Sequence, residues 1–252
     1  MITGLVTEFT KFVRATVVRA TTIVMVLGIS LICSSMLLAV HTADPQLAAK
    51  LGPLIEPGGW AGYLTTAAQV TGAAALLGYG VVLSWLFSRE FADGTITGLF
   101  AVPVPRATIA AAKLVIYLAW AVPTAFILMI ALVVFGLAGG LGAVPADVVP
   151  AIGRQFALTV LTAVIATPAA WAATVGRSML AGIGCTIGIL VVAQVTVVAG
   201  AGAWIPFAAP ALWAISGGAD VTGVQLVLVV PTLLISAGLT LRSWQRLQLD
   251  RS

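Results

Sequence analysis

The chain has 252 residues, of which 61% are hydrophobic and only 8% are charged, and its mean hydropathy is +1.14. Because an average soluble domain carries about 25% charged residues, this composition argues against a soluble enzyme, a nucleic-acid-binding protein and a disordered chain. The net charge of +4 then describes how loops are placed around a membrane, not an affinity for nucleic acid. We predict an all-α membrane protein.

The charged residues divide the chain into apolar segments. A helix needs roughly 20 apolar residues to cross a bilayer core, and six stretches of at least 20 residues contain no charge. We predict six transmembrane spans in a single domain, residues 1–252, near 20–40, 66–87, 114–137, 155–175, 179–200 and 222–241.

The distribution of Lys and Arg predicts the orientation. With six spans and both termini in the cytoplasm, 10 cationic residues lie inside and 2, Lys50 and Arg154, lie outside. A seventh span after residue 200 would change this balance to 7 against 5. The positive-inside rule therefore favours six spans, and we expect them in the inner (plasma) membrane.

The first 19 residues have an amphipathic pattern. A helix over residues 4–19 would place Leu5, Phe9, Phe12, Val13 and Val17 on one face and Glu8, Lys11 and Arg14 on the other. We predict that residues 1–19 form an interfacial helix that leads into span 1. The alternative is a short cytoplasmic tail whose periodicity arose by chance.

A Pro- and Trp-rich segment separates spans 5 and 6. Residues 201–221 are too short for another span once their glycines are set aside, and Pro206 and Pro210 interrupt them. We predict short re-entrant or interfacial helices on the outer side.

No motif for catalysis or for cofactor binding is visible. The sequence has no Gly-x-x-x-x-Gly-Lys-Ser/Thr loop, and His41 is its single histidine, so we assign no catalytic, cofactor-binding or metal-binding residue. The predicted spans contain no ionisable residue of the kind that usually binds a coupling ion. Energy for any uphill transport is therefore expected to come from another subunit.

The segment between spans 2 and 3, residues 88–113, contains an ordered set of charges and turn signals. Arg89 and Glu90 are followed by Asp93-Gly94-Thr95, which is typical of a turn or helix entry. Pro103 and Pro105 then end any helix ahead of Arg106, and Ala107–Ala112 allow a helix to restart. We expect a short helix held against the cytoplasmic face by Ile96, Leu99 and Phe100, as a docking surface for a soluble partner.

This segment resembles the first cytoplasmic loop of ABC-2 type permeases, the membrane subunits of ATP-binding-cassette exporters that include the bacitracin group. The resemblance rests on Arg89-Glu90-Phe91, Gly94-Thr95, Leu99, Pro103-x-Pro105-Arg106 and Lys113, with Pro105 where the family usually has serine. The amphipathic N-terminus, the six spans and the outer Pro/Trp-rich segment extend the resemblance over the whole chain.

The resemblance implies that residues 88–106 form a coupling helix against an ATPase subunit. Glu90, Asp93 and Arg106, with Arg89 beside them, would make charged docking contacts, and Gly94 and Thr95 would set the turn that presents them. ATP and Mg would bind to the partner, and this chain would bind no cofactor. The alternative is that these charges only anchor a solvated loop and fix its orientation.

The resemblance also implies that spans 2 and 5 line a path between two permease copies. Gln69 and Tyr79 in span 2 and Gln194 in span 5 would then face the cargo, the alternative for each being a helix-to-helix hydrogen bond. Gly184-x-x-x-Gly188 in span 5 allows close helix approach, either at a dimer seam or within the chain.

We therefore expect the permease subunit of an ABC exporter that carries an amphipathic or hydrophobic molecule, with drug or antibiotic efflux first among the cargoes. Its partners would be an ATP-binding subunit, a second permease copy or a related permease, and the lipid bilayer. Two alternatives remain open: an ion-coupled carrier or channel, and a non-transporting immunity or scaffold protein.

Overall fold

The computed structural model describes residues 9–10, 12–41, 58–96, 98 and 104–247. Over these residues the chain forms helices and turns and no strand, which confirms the all-α prediction. Six helical segments are long and apolar enough to cross a membrane, which confirms the six spans: Thr16–Ala39, Gly59–Ala92, Arg106–Ala138, Ala146–Val175, Met179–Val198 and Gly223–Gln245.

The helices of spans 2 and 3 extend beyond the predicted bounds of 66–87 and 114–137. Span 2 runs to Ala92, and span 3 begins at Arg106, directly after Pro105. Arg89, Glu90 and Lys113 therefore lie on helices, not in a loop between them. A charged residue does not end a helix when its side chain is paired. Bounds drawn between charges therefore ended span 2 too early and began span 3 too late.

Prolines interrupt two of the spans. Span 4 consists of a 3-10 turn at Ala146–Val148 and helices at Val149–Ile165 and Pro168–Val175. Span 6 consists of helices at Gly223–Val227 and Val229–Gln245, with Pro231 in the first turn of the second. Each proline lacks a backbone donor, which accounts for a break in the preceding residues.

Span 2 lies at the centre of the bundle and contacts spans 1, 3, 4 and 5. Small residues permit the closest approach: a Cβ on Gly80 would overlap Thr186 of span 5, and a Cβ on Gly182 would overlap Ser84 of span 2. More than half of the most apolar part of spans 2 and 4 is buried, against 22% for spans 5 and 6. Spans 5 and 6 therefore present most of their surface outward.

Several buried threonine and serine hydroxyl groups bond to their own helices. Thr66, Ser84, Thr124, Thr162, Thr174 and Thr186 each donate to the carbonyl oxygen four residues earlier. In a membrane an unsatisfied polar group costs several kcal/mol, so these local bonds let hydroxyl side chains occupy buried positions without a distant partner.

The N-terminal segment is helical over residues 9–10 and 12–14 and bends at Ala15, after which span 1 begins at Thr16 as helix Thr16–His41. The predicted single helix over 4–19 is therefore divided, and Val17 belongs to span 1. Residues 1–8 and Lys11 of that prediction lie outside the described residues.

Alternating span directions give the bundle two faces. The N-terminal face carries the start of spans 1, 3 and 5 and the end of spans 2, 4 and 6; the opposite face carries the remaining ends. On the opposite face the predicted outer segment forms a 3-10 turn at Gly202–Trp204 and one short helix, Ala209–Ile215, packed on spans 2 and 4. That this segment re-enters the membrane stays a prediction.

Candidate functional site

A buried ion pair joins spans 2 and 3 at the N-terminal face. Lys113 Nζ lies 2.5 Å from Glu90 Oε1 and donates a second hydrogen bond, of 2.6 Å, to the Leu86 carbonyl oxygen. Glu90 and Lys113 are each only 7% exposed. Because removing an ion from water costs several kcal/mol, both partners are needed to keep the pair inside the protein. The pair fixes the last turns of span 2 against the early turns of span 3.

Aromatic rings extend this junction to spans 4 and 6. Lys113 Nζ lies 5.6 Å from the centre of the Phe87 ring and 5.2 Å from that of Trp244 in span 6, and the two rings meet edge to face. The Trp244 indole N–H donates to Thr174 Oγ1 in span 4 at 3.1 Å. A cation over an aromatic face gains about 2 kcal/mol when water is excluded. Spans 2, 3 and 6 therefore meet around one ammonium group, and Trp244 joins span 4 to them.

Arg89 lies at the rim of the same junction. Its Nε donates to Glu90 Oε1 at 3.0 Å, and its guanidinium carbon lies 4.9 Å from the centre of the Trp85 ring. The Arg89 side chain is 26% exposed, so it contributes less than Lys113 to holding the buried carboxylate. The other carboxylate oxygen, Glu90 Oε2, is buried without a hydrogen-bond partner.

The turn after span 2 is exposed and depends on a glycine. Asp93 ends the helix, and its backbone N–H donates to the Arg89 carbonyl at 2.8 Å. Gly94 follows with a φ of +66°, the left-handed conformation that commonly ends helices at glycine. Asp93, Gly94 and Thr95 are all exposed, whereas Ile96 is buried. The turn therefore exposes the side chains of Asp93 and Thr95, and the buried side chain of Ile96 anchors it.

Arg106 and Phe12 connect the chain termini to this face. The guanidinium of Arg106 donates to the Leu247 carbonyl oxygen just beyond span 6, so the start of span 3 is joined to the C-terminal end. Phe12 is 2% exposed, and its ring centre lies 5.8 Å from that of Trp120 and 6.4 Å from that of Trp85. The N-terminal segment is thus packed against spans 2 and 3.

Gln69 and Gln194 line one cleft toward the opposite face. The cleft has a volume of about 290 Å³ and lies between spans 2 and 5 and the short helix Ala209–Ile215. Both amides are exposed, and most of the remaining lining is apolar, including Leu76 and Phe207. A mainly apolar cleft with two polar groups suits an amphipathic ligand.

Tyr79 lies elsewhere. Its side chain is completely buried, its hydroxyl donates to the Ala121 carbonyl of span 3 at 3.4 Å, and its ring packs edge to face on Tyr117 and Trp120. Tyr79 therefore has no surface in the cleft that contains the two glutamines, and its geometry is that of the helix-to-helix alternative.

Comparison with known families decides the class of protein. Residues 4–194 match the family described as "ABC-2 family transporter protein", which is well over half of the chain. The chain belongs to the ABC-2 transporter family. This membership, together with the six spans, makes it a multi-pass membrane protein of a transport family.

One curated relative adds local similarity. The chain is 39% identical over 61 residues to the "Bacitracin transport permease protein BCRB" of Bacillus licheniformis. The aligned part covers 24% of this chain and 29% of that protein, so the similarity extends over less than a third of the relative's length.

Within this ABC-2 chain, the predicted coupling residues fall into two groups. One group, Asp93, Gly94 and Thr95, forms an exposed turn. The other group is Glu90, which pairs with Lys113, and Arg106, which donates to the Leu247 carbonyl oxygen of the same chain. Thr97 and residues 99–103, which include Leu99, Phe100 and Pro103 of the predicted coupling helix, lie outside the described residues. The docking roles stay predictions, and the exposed turn is their best-placed surface.

The sequence reasoning missed the importance of Lys113 and Trp244. Lys113 is visible in the sequence only as the end of the loop motif, and nothing there links Trp244 to it. A usable signal was present: Glu90 and Lys113 are opposite charges that flank two apolar spans on the same predicted side of the membrane. Their pairing across the intervening loop could have been proposed from that alone.

Proposed function

We propose that this chain is the permease subunit of an ATP-binding-cassette exporter, with its N-terminal face in the cytoplasm. The observation that carries the proposal is the junction at Lys113, where spans 2, 3, 4 and 6 meet directly behind an exposed turn. A partner that pushes on the turn would move several spans together, because buried ion pairs and ring contacts connect them.

The turn at Asp93–Thr95 is proposed as the ATPase docking point. The Asp93 and Thr95 side chains project from this turn. The Glu90–Lys113 ion pair joins the end of span 2, which carries the turn, to span 3, so that the two helices move together. Span 2 continues from this end to Gln69 in the cleft, 21 residues or about 32 Å away at 1.5 Å per residue. Movement at the docking point can thus reach the proposed cargo path through one helix.

Docking is tested with Asp93→Lys and a matched control. Asp220 is also exposed but lies on the opposite face, so Asp220→Lys makes the same charge change away from the turn. We expect Asp93→Lys to reduce co-purification of a co-expressed ATP-binding subunit, and Asp220→Lys to leave it at the unmodified level. Equal recovery with both variants would contradict docking at this turn. Glu90→Arg is a poor test because it would place a buried cation beside Lys113.

The cargo is proposed to be an amphipathic or hydrophobic molecule, with a drug or peptide antibiotic as the first candidate. The apolar cleft with Gln69 and Gln194 supports an amphipathic cargo, and the local similarity to a bacitracin transport permease supports an antibiotic. Replacing both glutamines with leucine is expected to change cargo preference while ATPase association stays normal. Unchanged transport of every cargo would remove these residues from the path.

A second permease copy is proposed to pack against span 5. A Cβ on Gly184 or Gly188 would meet no atom within 4 Å, so this Gly-x-x-x-Gly pair is not used for packing among the described residues. Gly188→Leu is expected to weaken permease dimers, and Gly28→Leu on span 1, where a Cβ is equally unhindered, is the control. Cross-linking or single-molecule photobleaching in liposomes measures the dimer fraction; equal fractions would place the seam elsewhere.

The complete function is tested by flux in sealed vesicles that contain this chain and its ATP-binding subunit. ATP-dependent export should disappear when the phosphate-binding lysine of the partner is replaced. Transport that persists without the partner would instead indicate an ion-coupled carrier or channel, and cargo binding without flux would indicate an immunity or scaffold role.

A further inference from the structure

A second cavity lies on the opposite face, separate from the cleft of Gln69 and Gln194. It has a volume of about 260 Å³ and is enclosed by spans 2 and 4 and the turn after the short helix Ala209–Ile215. Alanine, leucine and isoleucine side chains form most of its wall, and Arg154 and Gln155 of span 4 are the strongly polar residues in it. Neither residue has a part in the proposed coupling or cargo path.

Gln155 brings an unsatisfied acceptor to this cavity. Gln155 is 2% exposed, and its Nε2 donates to the fully buried Thr71 Oγ1 at 2.7 Å. Gln155 Oε1 is buried and has no hydrogen-bond partner. A buried acceptor without a donor costs about 1–3 kcal/mol, so a ligand that donates a hydrogen bond here would recover that cost.

Arg154 brings an unpaired cation to the same place. Its Nε is buried without a hydrogen-bond partner, and Asp147 and Asp220, the described acidic residues of this face, make no ion pair with it. Gly217 has a φ of +68°, and a Cβ there would lie 3.7 Å from Arg154 Nη2. The turn thus lies directly against the guanidinium. A partly buried guanidinium without a counterion favours an anionic ligand.

The depth of the site fits the head of an amphiphile. Arg154 lies five residues beyond Val149, where the α-helix of span 4 begins, so it is about 8 Å along the helix axis. With the start of span 4 at the membrane surface, Arg154 would lie where headgroups meet acyl chains, and the apolar wall beside it suits the start of a chain.

We propose that this cavity binds the anionic headgroup of an amphiphile, a phosphate group that carries a nearby hydroxyl. The phosphate would bind the Arg154 guanidinium, and the hydroxyl would donate to Gln155 Oε1. The same chemistry is present in a membrane phospholipid such as phosphatidylglycerol and in a soluble phosphate ester such as glycerol phosphate, so the experiment separates the two sources.

The test is native mass spectrometry of the purified full chain with four added probes: phosphatidylglycerol, phosphatidylcholine, diacylglycerol and glycerol phosphate. Phosphatidylglycerol should bind best, because it alone combines phosphate, hydroxyl and acyl chains. Arg154→Gln should reduce its affinity roughly tenfold or more, as expected for a lost charge-assisted hydrogen bond. Arg154→Lys should retain part of it. Arg19→Gln, an equal charge change at an exposed position on the N-terminal face, is the control.

Gln155→Glu provides a second variant of nearly the same size, and its negative charge should also reduce phosphatidylglycerol binding. Competition by glycerol phosphate would support the site and identify a soluble source; its failure to compete, with phosphatidylglycerol binding intact, would support the site and identify a lipid. Equal phosphatidylglycerol affinity in the Arg154→Gln, Arg19→Gln and unmodified chains would overturn the proposal. So would equal binding of phosphatidylcholine or diacylglycerol.

Discussion

Replacing Lys113 with methionine removes the centre of the four-span junction while keeping a long apolar side chain. The variant loses the 2.5 Å ion pair with Glu90, the 2.6 Å hydrogen bond to the Leu86 carbonyl, and the ammonium between the Phe87 and Trp244 rings. It leaves a carboxylate that is only 7% exposed with Arg89 as its remaining partner.

The size of the effect follows from that remaining partner. Removing one member of a buried ion pair costs about 3–5 kcal/mol, because the other charge stays buried. Arg89 still donates to Glu90 at 3.0 Å but is 26% exposed, so we expect the lower end, about 3 kcal/mol. For a chain of this length each kcal/mol shifts the unfolding temperature by about 2–4 °C, so Lys113→Met should lower it by about 6–12 °C.

The measurement is thermal unfolding of the detergent-purified chain, followed by tryptophan fluorescence, as a double-mutant cycle with Glu90→Gln. Removing both charges leaves a neutral amide and a thioether, so the double variant should be more stable than Lys113→Met alone. Arg19→Met removes an exposed cation from the same face and should shift the transition by less than about 2 °C. If the double variant loses the sum of the two single effects, the pair is not the coupled unit described above and the reasoning fails.

Three further sites test other parts of the structure, each by substitution and, for the glycines, with a comparison variant. Gly80→Ala should destabilise the chain by about 1–3 kcal/mol because its Cβ would overlap Thr186, whereas Gly28→Ala, with open space, should stabilise by about 0.5–1 kcal/mol; equal effects in thermal unfolding would contradict the close packing of spans 2 and 5. Gly94→Ala should cost about 1–2 kcal/mol because φ is +66°, and Gly94→Asn should cost less; a harmless alanine would show that the turn does not need the left-handed conformation. Trp244→Phe should slow export because it removes the hydrogen bond from span 6 to Thr174 in span 4, which the same vesicle flux assay measures; flux at the unmodified rate would remove that bond from coupling.

The number of spans was predictable because charged residues are expensive in a bilayer core. Only 8% of the residues are charged, so the long stretches between them are the candidate spans. Their ends were less predictable. Span 3 begins at Arg106 although Lys113 lies seven residues further along, since Lys113 meets its counterion in span 2 and therefore tolerates burial. The spacing of charges along the sequence does not show that a charge on one helix has its counterion on another.

The candidate site shows the same division. Asp93-Gly94-Thr95 was predictable as a turn because a glycine after an acidic residue is a local signal, and the structure has the required positive φ at Gly94. The burial of Glu90 was not predictable in this way, because it depends on how spans 2, 3 and 6 pack around it. Gln69 and Gln194 were grouped through a family resemblance, and the cleft that contains both arises from the short helix closing over spans 2 and 5.

Span 2 connects the junction around Lys113 with the cleft that contains Gln69, and its side chains differ between these two ends. Toward Lys113 it carries the bulky buried side chains of Leu83, Leu86 and Phe87, whereas toward the cleft it carries small residues such as Gly72 and Ala73. Bulky packing at one end makes that end move with its neighbours, and small residues at the other leave room for a ligand beside Gln69. Under the proposed function, force applied at Asp93 would therefore be transmitted through the densely packed end of span 2. It would then act on the loosely packed end, beside the cleft. A bulky substitution at Ala73 should then impair export without affecting docking, and a variant of the Lys113 junction should impair coupling with the cleft intact.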